Sequence, residues 1–131
     1  MLSHVTLGVN NLDSAIEFYD AILETLNQKR RGRGENWAGY GDIGGLGIDT
    51  LWILSPLNGK PATGGNGTTI ALLAPNRHSV REFHAKALEL GAKDEGKPGL
   101  REENHPNFYA AYIRDIDGNY LCAVCHEPEQ N

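Results

Sequence analysis

The sequence predicts an α+β fold made of two copies of one unit, strand–helix–strand–strand–strand. Each unit is a curved, mixed β-sheet with its helix on the outer face and a concave face left open. Three observations predict it. Strict alternation near the N-terminus runs straight into helical spacing within residues 4–26. After the turn-rich stretch PLNGKPATGGNG the same order of patterns begins again. The two halves also align: an offset of 65 sets His4 on Thr69, Val5 on Ile70, Leu7 on Leu72, Phe18 on Phe83 and Leu23 on Leu88.

In the first unit, Val5, Leu7 and Val9 alternate with His4, Thr6 and Gly8, the pattern of a half-buried strand. If the apolar set packs under the helix, His4, Thr6 and Gly8 point into the concavity. Asn10-Asn11 offers an N-cap, and Asp13 falls in the first turn, where a carboxylate suits the helix dipole. Leu12, Ala15, Ile16, Tyr19, Ile22, Leu23 and Leu26 keep helical spacing, so a helix is expected from about Leu12 to Lys29. The basic run Gln28–Arg33 is then expected as a helix end followed by a solvated loop. Glycines at 32, 34, 39, 41, 44, 45 and 47 punctuate short strands, and residues 50–54 form another.

Residues 57–67 read as a linker between a first module of about 1–56 and a second of about 68–126. In the second, residues 68–74 form a strand with Thr69, Ala71 and Leu73 toward the concavity. Asn76 caps a helix carrying Val80, Phe83, Ala87 and Leu88, and Gly91 suits its C′ position. Residues 96–106 are expected as a longer loop. Residues 108–114 and 120–125 are strands joined by the turn Asp115-Ile116-Asp117-Gly118-Asn119. Leu51-Trp52-Ile53-Leu54 falls on Leu121-Cys122-Ala123-Val124 at an offset of 70.

Composition limits the function classes. The 131 residues suit one domain with a core large enough to need no disulfide. A net charge of −5 argues against a nucleic-acid or anionic-membrane partner. There is no apolar run long enough for a membrane span, and the first residues lack the basic n-region and cleavage site of a signal peptide. The cytoplasm is the expected location.

CAVCH, residues 122–126, has the spacing of a haem-attachment or redox motif. On a strand, however, Cys122 and Cys125 point to opposite faces, so they neither chelate jointly nor pair easily. The DIDGN stretch resembles the start of a calcium loop but lacks the later acidic ligands and has strands on both sides; a hairpin turn explains it.

The opening HVTLGVNNLDSAIEFYDAIL and the closing HPNFYAAYIRDIDGNYLCAVCH, with the repeat between them, resemble the glyoxalase / bleomycin-resistance / extradiol-dioxygenase (vicinal oxygen chelate) superfamily. That resemblance implies two βαβββ modules joined into a cup, a small-molecule ligand and a homodimer. It also implies four metal-ligand positions, which fall here on His4, Thr69, Trp52 and Cys122. The family pattern has His at the second module's first strand and Glu after the D-x-D-G-N turn, where this chain has Thr69 and Cys122. Trp52 has no lone pair to give. The ligand set is incomplete, so no cofactor is expected; a divalent metal is the alternative.

The expected ligand-binding residues are His4, Trp37, Trp52, Thr69, His105, Tyr109 and Cys122, with His4 and His105 the best candidates for acid–base catalysis. Trp37 and Tyr40 either stack on a planar ligand or fill the sheet. His78 and His84 read as structural, and Arg101, Glu102 and Glu103 as solvated loop charges. Two functions fit: a metal-independent enzyme of lyase or isomerase type, or a ligand-sequestering protein. Metal-dependent lyase or dioxygenase chemistry is the alternative.

Overall fold

The computed structural model describes residues 1–44 and 47–129; Gly45, one of the glycines assigned above to strand punctuation, lies outside them. The first module contains β1 (Val5–Gly8), α1 (Leu12–Glu24), β2 (Gln28–Arg33), β3 (Trp37–Asp42) and β4 (Leu51–Leu54). The second contains β5 (Ile70–Leu73), α2 (Arg77–Glu89), β6 (Lys93–Leu100), β7 (Tyr109–Arg114) and β8 (Tyr120–Cys125). They form two four-stranded mixed sheets, ordered β1-β4-β3-β2 and β5-β8-β7-β6, curved but not closed.

The internal repeat is exact in register. Val5 pairs with Leu51 across parallel β1 and β4, and Ile70 pairs with Leu121 across parallel β5 and β8. These are the offsets of 65 and 70 seen in the sequence. One row of paired positions crosses the first sheet as Thr6, Trp52 and Gly39. Its equivalent crosses the second as Ala71, Cys122, Tyr112 and Gly96.

Both helices start as expected. The Asn11 side chain accepts from Ser14 N–H at 3.0 Å and that of Asn76 from Ser79 N–H at 2.8 Å. Gly91, at φ 99°, follows the C-cap of α2.

Two expectations fail. The first helix stops at Glu24, not Lys29, because Asn27 adopts a left-handed φ of 61° and turns the chain back. The basic run is therefore an edge strand, β2, rather than a helix end and loop. Its charges pair with α1: Arg30 Nε lies 3.2 Å from Asp20 and Arg33 Nη1 3.0 Å from Asp13. Such exposed pairs contribute little energy, but they place opposite charges at the crossing, and charged residues suit an edge. Likewise, β6 occupies part of the segment expected as loop, with irregular pairing around Gly96 and Gly99.

One continuous core runs through both modules. Ile16, Tyr19 and Ile22 of α1, Phe83 and Ala87 of α2, and inward residues of both sheets such as Ile53, Ile113 and Ala123 belong to it. The two helices touch each other. A polar clasp also joins the modules. Tyr19 Oη donates to Asp115 Oδ2 at 2.5 Å, and Asn119 Nδ2 donates both to Asp115 and to the Gly8 carbonyl, each at 2.9 Å. The linker has no regular structure, yet it is held: Ala62 N–H donates to Asn10 Oδ1 at 2.7 Å, and Gly64 packs on the backbone of Gly118. No described helix is long and apolar enough to cross a membrane.

Candidate functional site

The faces of the two sheets turned away from the shared core carry most of the residues singled out in the sequence. On the first sheet, the outward row brings Trp52 beside Trp37, their rings 5.1 Å apart at 50°. His4 meets Trp52 edge-on at 6.4 Å, with its Nδ1 2.9 Å from Ser3 Oγ. Gly39 and Gly41 leave this face without side chains between the tryptophans and the sheet edge. Two residues the sequence did not mark fill that space. A Cβ on Gly39 would collide with the Asp49 carboxylate, and one on Gly41 with the Arg31 side chain. Arg31 Nε is 3.4 Å from Asp49 Oδ1, which is buried and makes no hydrogen bond. The only sequence signal for this pair was the alternation of glycines at 39 and 41, which marks a face something else must cover.

On the second sheet, Cys122 is 2% exposed and packs with Ala110 and Val124 under Phe108 and Tyr112. Burial pushes its thiol up to about 11, so at neutral pH it is a protonated, weakly nucleophilic group. Tyr112 and Tyr120 lie 5.9 Å apart, with the guanidinium of Arg101 over the first ring and that of Arg114 over the second. Arg101 is therefore part of this face and not a solvated loop charge.

His105 stands at the rim. Its Nε2 is 2.8 Å from Nδ1 of His126, which shares the outward face with Cys122 and Val124. Phe108 meets both imidazoles edge-on, at 5.6 and 5.5 Å. Sequence reading gave His126 no role, because its partner is 21 residues away.

Two expected site residues behave differently. Thr69 is exposed just before β5. Tyr109 faces α2 and not the open side: its ring lies between Arg77 and Arg81, at 5.2 and 5.7 Å, and it packs on the main core. The alternation of β7 requires this, since Ala111 and Ile113 share its side and are fully buried. His84 is structural, as expected: it is buried and holds Asp94 at 3.0 Å, which draws that carboxyl below its ordinary range.

The donors do not fit the divalent ion that the sequence resemblance implies. Of the four positions, Trp52 offers no lone pair, Thr69 only a hydroxyl, Cys122 a thiol buried under Phe108 and Tyr112, and His4 a single imidazole. Among the described residues no three His, Cys, Asp or Glu side chains are grouped to hold a metal. Cys122 and Cys125 are separate, buried free thiols on opposite faces.

Comparison with known proteins agrees with this architecture. The family model described as Glyoxalase/Bleomycin resistance protein/Dioxygenase superfamily matches residues 1–123. A glyoxalase/bleomycin resistance protein from Albidiferax ferrireducens T118 is 37% identical, over 95% of this chain and 98% of that one, with a TM-score of 0.86. A putative glyoxalase from Bacillus halodurans shares the fold at 22% identity and TM-score 0.69, covering 95% of each chain. The fosfomycin resistance protein FosX from Listeria monocytogenes, complexed with Mn(II) and sulfate, shares it at 17% identity and TM-score 0.68, over 97% of this chain and 90% of that one. No curated protein matches the sequence significantly.

Proposed function

This chain belongs to the Glyoxalase/Bleomycin resistance protein/Dioxygenase superfamily, and from that premise we propose that it binds a small, largely apolar molecule without the metal centre typical of the fold. The observation that carries the reading is the pair of open aromatic faces. Trp37, Trp52 and His4 form one, and Phe108, Tyr112 and His105, lying over the buried Cys122, form the other. Broad apolar contact with a few polar groups is the composition of small-molecule sites. Trp52 and Thr69 at two of the four ligand positions, and a thiol where the family pattern has a carboxylate, support binding over Lewis-acid chemistry.

The two faces lie on sheets that share no hydrogen-bonded strand. We infer a homodimer that brings them together through the outer edges of β1 and β5. Both edges are unpaired. Both border a groove of about 320 Å3, lined among others by His4, Leu26, Ile70 and Leu72. Leu73, at the end of β5, is 71% exposed. An unpaired edge beside an exposed leucine invites pairing.

Metal-independent acid–base catalysis is the second reading, favoured by the hydrogen-bonded imidazole of His105. A thermal-shift screen against metabolites and drugs, with product analysis of each hit, separates the two. Hits returned unchanged support sequestration. Product whose formation is abolished by His4→Ala or His105→Ala establishes the enzyme. Stoichiometric binding of nickel, zinc, manganese or iron that disappears in His4→Ala would defeat both.

A further inference from the structure

The His105–His126 pair has a fixed direction of proton donation. His105 Nδ1 accepts from the Asn107 backbone N–H at 3.1 Å, so that nitrogen must keep its lone pair. A neutral His105 then carries its proton on Nε2 and donates it to His126 Nδ1 at 2.8 Å. His126, with Nδ1 used as an acceptor, must carry its own proton on Nε2. No described residue accepts from that N–H, and the residue is exposed on the same face as Cys122 and Val124. A metal between the rings would need His105 Nε2 deprotonated, and so a proton on Nδ1 against the Asn107 N–H. The backbone thus opposes metal binding and favours donation. The rings, 5.1 Å apart at 27°, stand edge-on against Phe108, which limits their rotation.

We propose that His126 is the polar anchor of the second sheet's open face: its Nε2–H donates to an oxygen acceptor on an aromatic or otherwise apolar ligand, and His105 is the positioning residue that sets the tautomer. The inference rests on the small-molecule reading above and narrows it. The ligand carries a carbonyl or comparable oxygen beside an apolar body that packs on the half-buried Phe108. A ligand offering only donors finds no partner here, because His126 Nδ1 is already occupied.

Two measurements on the full-length protein test this. In the first, long-range 1H–15N spectra of the imidazoles should show both His105 and His126 as the Nε2–H tautomer, and His105→Leu should release His126 into the mixture of a free imidazole. His105→Gln, whose amide can still donate, should keep His126 fixed. An Nδ1–H tautomer at either residue, or an unchanged His126 in His105→Leu, overturns the proposal whether or not any ligand binds. In the second, acetophenone and ethylbenzene are titrated by NMR. They have similar shape, and only acetophenone offers an oxygen. Wild type should prefer acetophenone, and His126→Phe should weaken acetophenone roughly three- to ten-fold, the range of one neutral hydrogen bond, while leaving ethylbenzene unchanged. Equal binding of both probes, with no effect of His126→Phe on their ratio, defeats the anchor and leaves the small-molecule reading standing. Binding of neither probe at millimolar concentration defeats both.

Discussion

Cys122 shows how much a single side chain can be read in advance. The repeat placed it on the open face opposite Trp52's position in the first module, and the paired rows of the two sheets agree. Its chemistry was not legible, because the thiol's acidity depends on Phe108, Tyr112 and Val124 closing over it. With burial holding the thiol at about 11, the thiolate population at pH 8 is far below that of a free cysteine. In a Cys125→Ser background, iodoacetamide should modify folded Cys122 roughly a hundred-fold more slowly than the urea-unfolded chain, and the rate should climb with pH up to about 11. Fast alkylation at pH 8 would show an activated thiol. The sign of the linked effect on stability follows. The folded state keeps this proton to higher pH than the unfolded state does. The associated stability is intact below the ordinary thiol range and is lost as pH rises through about 11. Asp49 and Arg31 are the opposite case. Arg31 reaches over Gly41 from β2 and Asp49 over Gly39 from the segment before β4, a meeting that only the fold makes.

At the level of elements, hydrophobic periodicity identified both helices and most strands, and failed where other forces decide. Leu26 continues the helical spacing and is buried, yet it lies in the turn after α1, because the left-handed Asn27 ends the helix without breaking the apolar pattern. Strand β2 has almost no apolar residues to reveal it. It is held as an edge by its pairing with β3 and by ion pairs to Asp13 and Asp20. The linker also does more than its composition suggests. A Cβ on Gly64 would land on the carbonyl oxygen of Gly118 and crowd Asn119 N, both backbone atoms that cannot swing away. Gly64→Ala should therefore cost about 1–3 kcal/mol of stability, measured by urea denaturation, even though residue 64 belongs to no helix or strand. A neutral result would mean that the linker does not brace the hairpin.

For the whole molecule, the repeat suggests two separable halves, but the packing does not follow that division. The core joins Ile16 and Ile22 to Phe83 and Ala87, and the Tyr19–Asp115 clasp is buried between the modules. Thermal unfolding should be one transition, with far-UV and near-UV signals coincident; two resolved transitions would show independent modules. The proposed dimer makes a separate prediction. Light scattering at micromolar concentration should give twice the chain mass, and Leu73→Asp, placed on the exposed β5 edge, should give monomer with unchanged secondary structure. Monomeric wild type would remove the dimer from the functional reading. How far the site is legible follows from the same packing. Sequence repeats reveal which residues share a face, but not which faces meet, since that depends on how sheet edges pack in the fold and, in the proposed dimer, between chains.

The contact between α1 and α2 has a consequence for ancestry. Each helix covers its own sheet with one side and the other helix with part of the rest. A half-length chain carrying one βαβββ unit would leave that second surface bare, and a second copy of itself offers the nearest match. A single-unit progenitor of this architecture would then have been obligately paired. Doubling the coding segment would have turned an encounter between molecules into a tether within one, with residues 57–67 supplying the join.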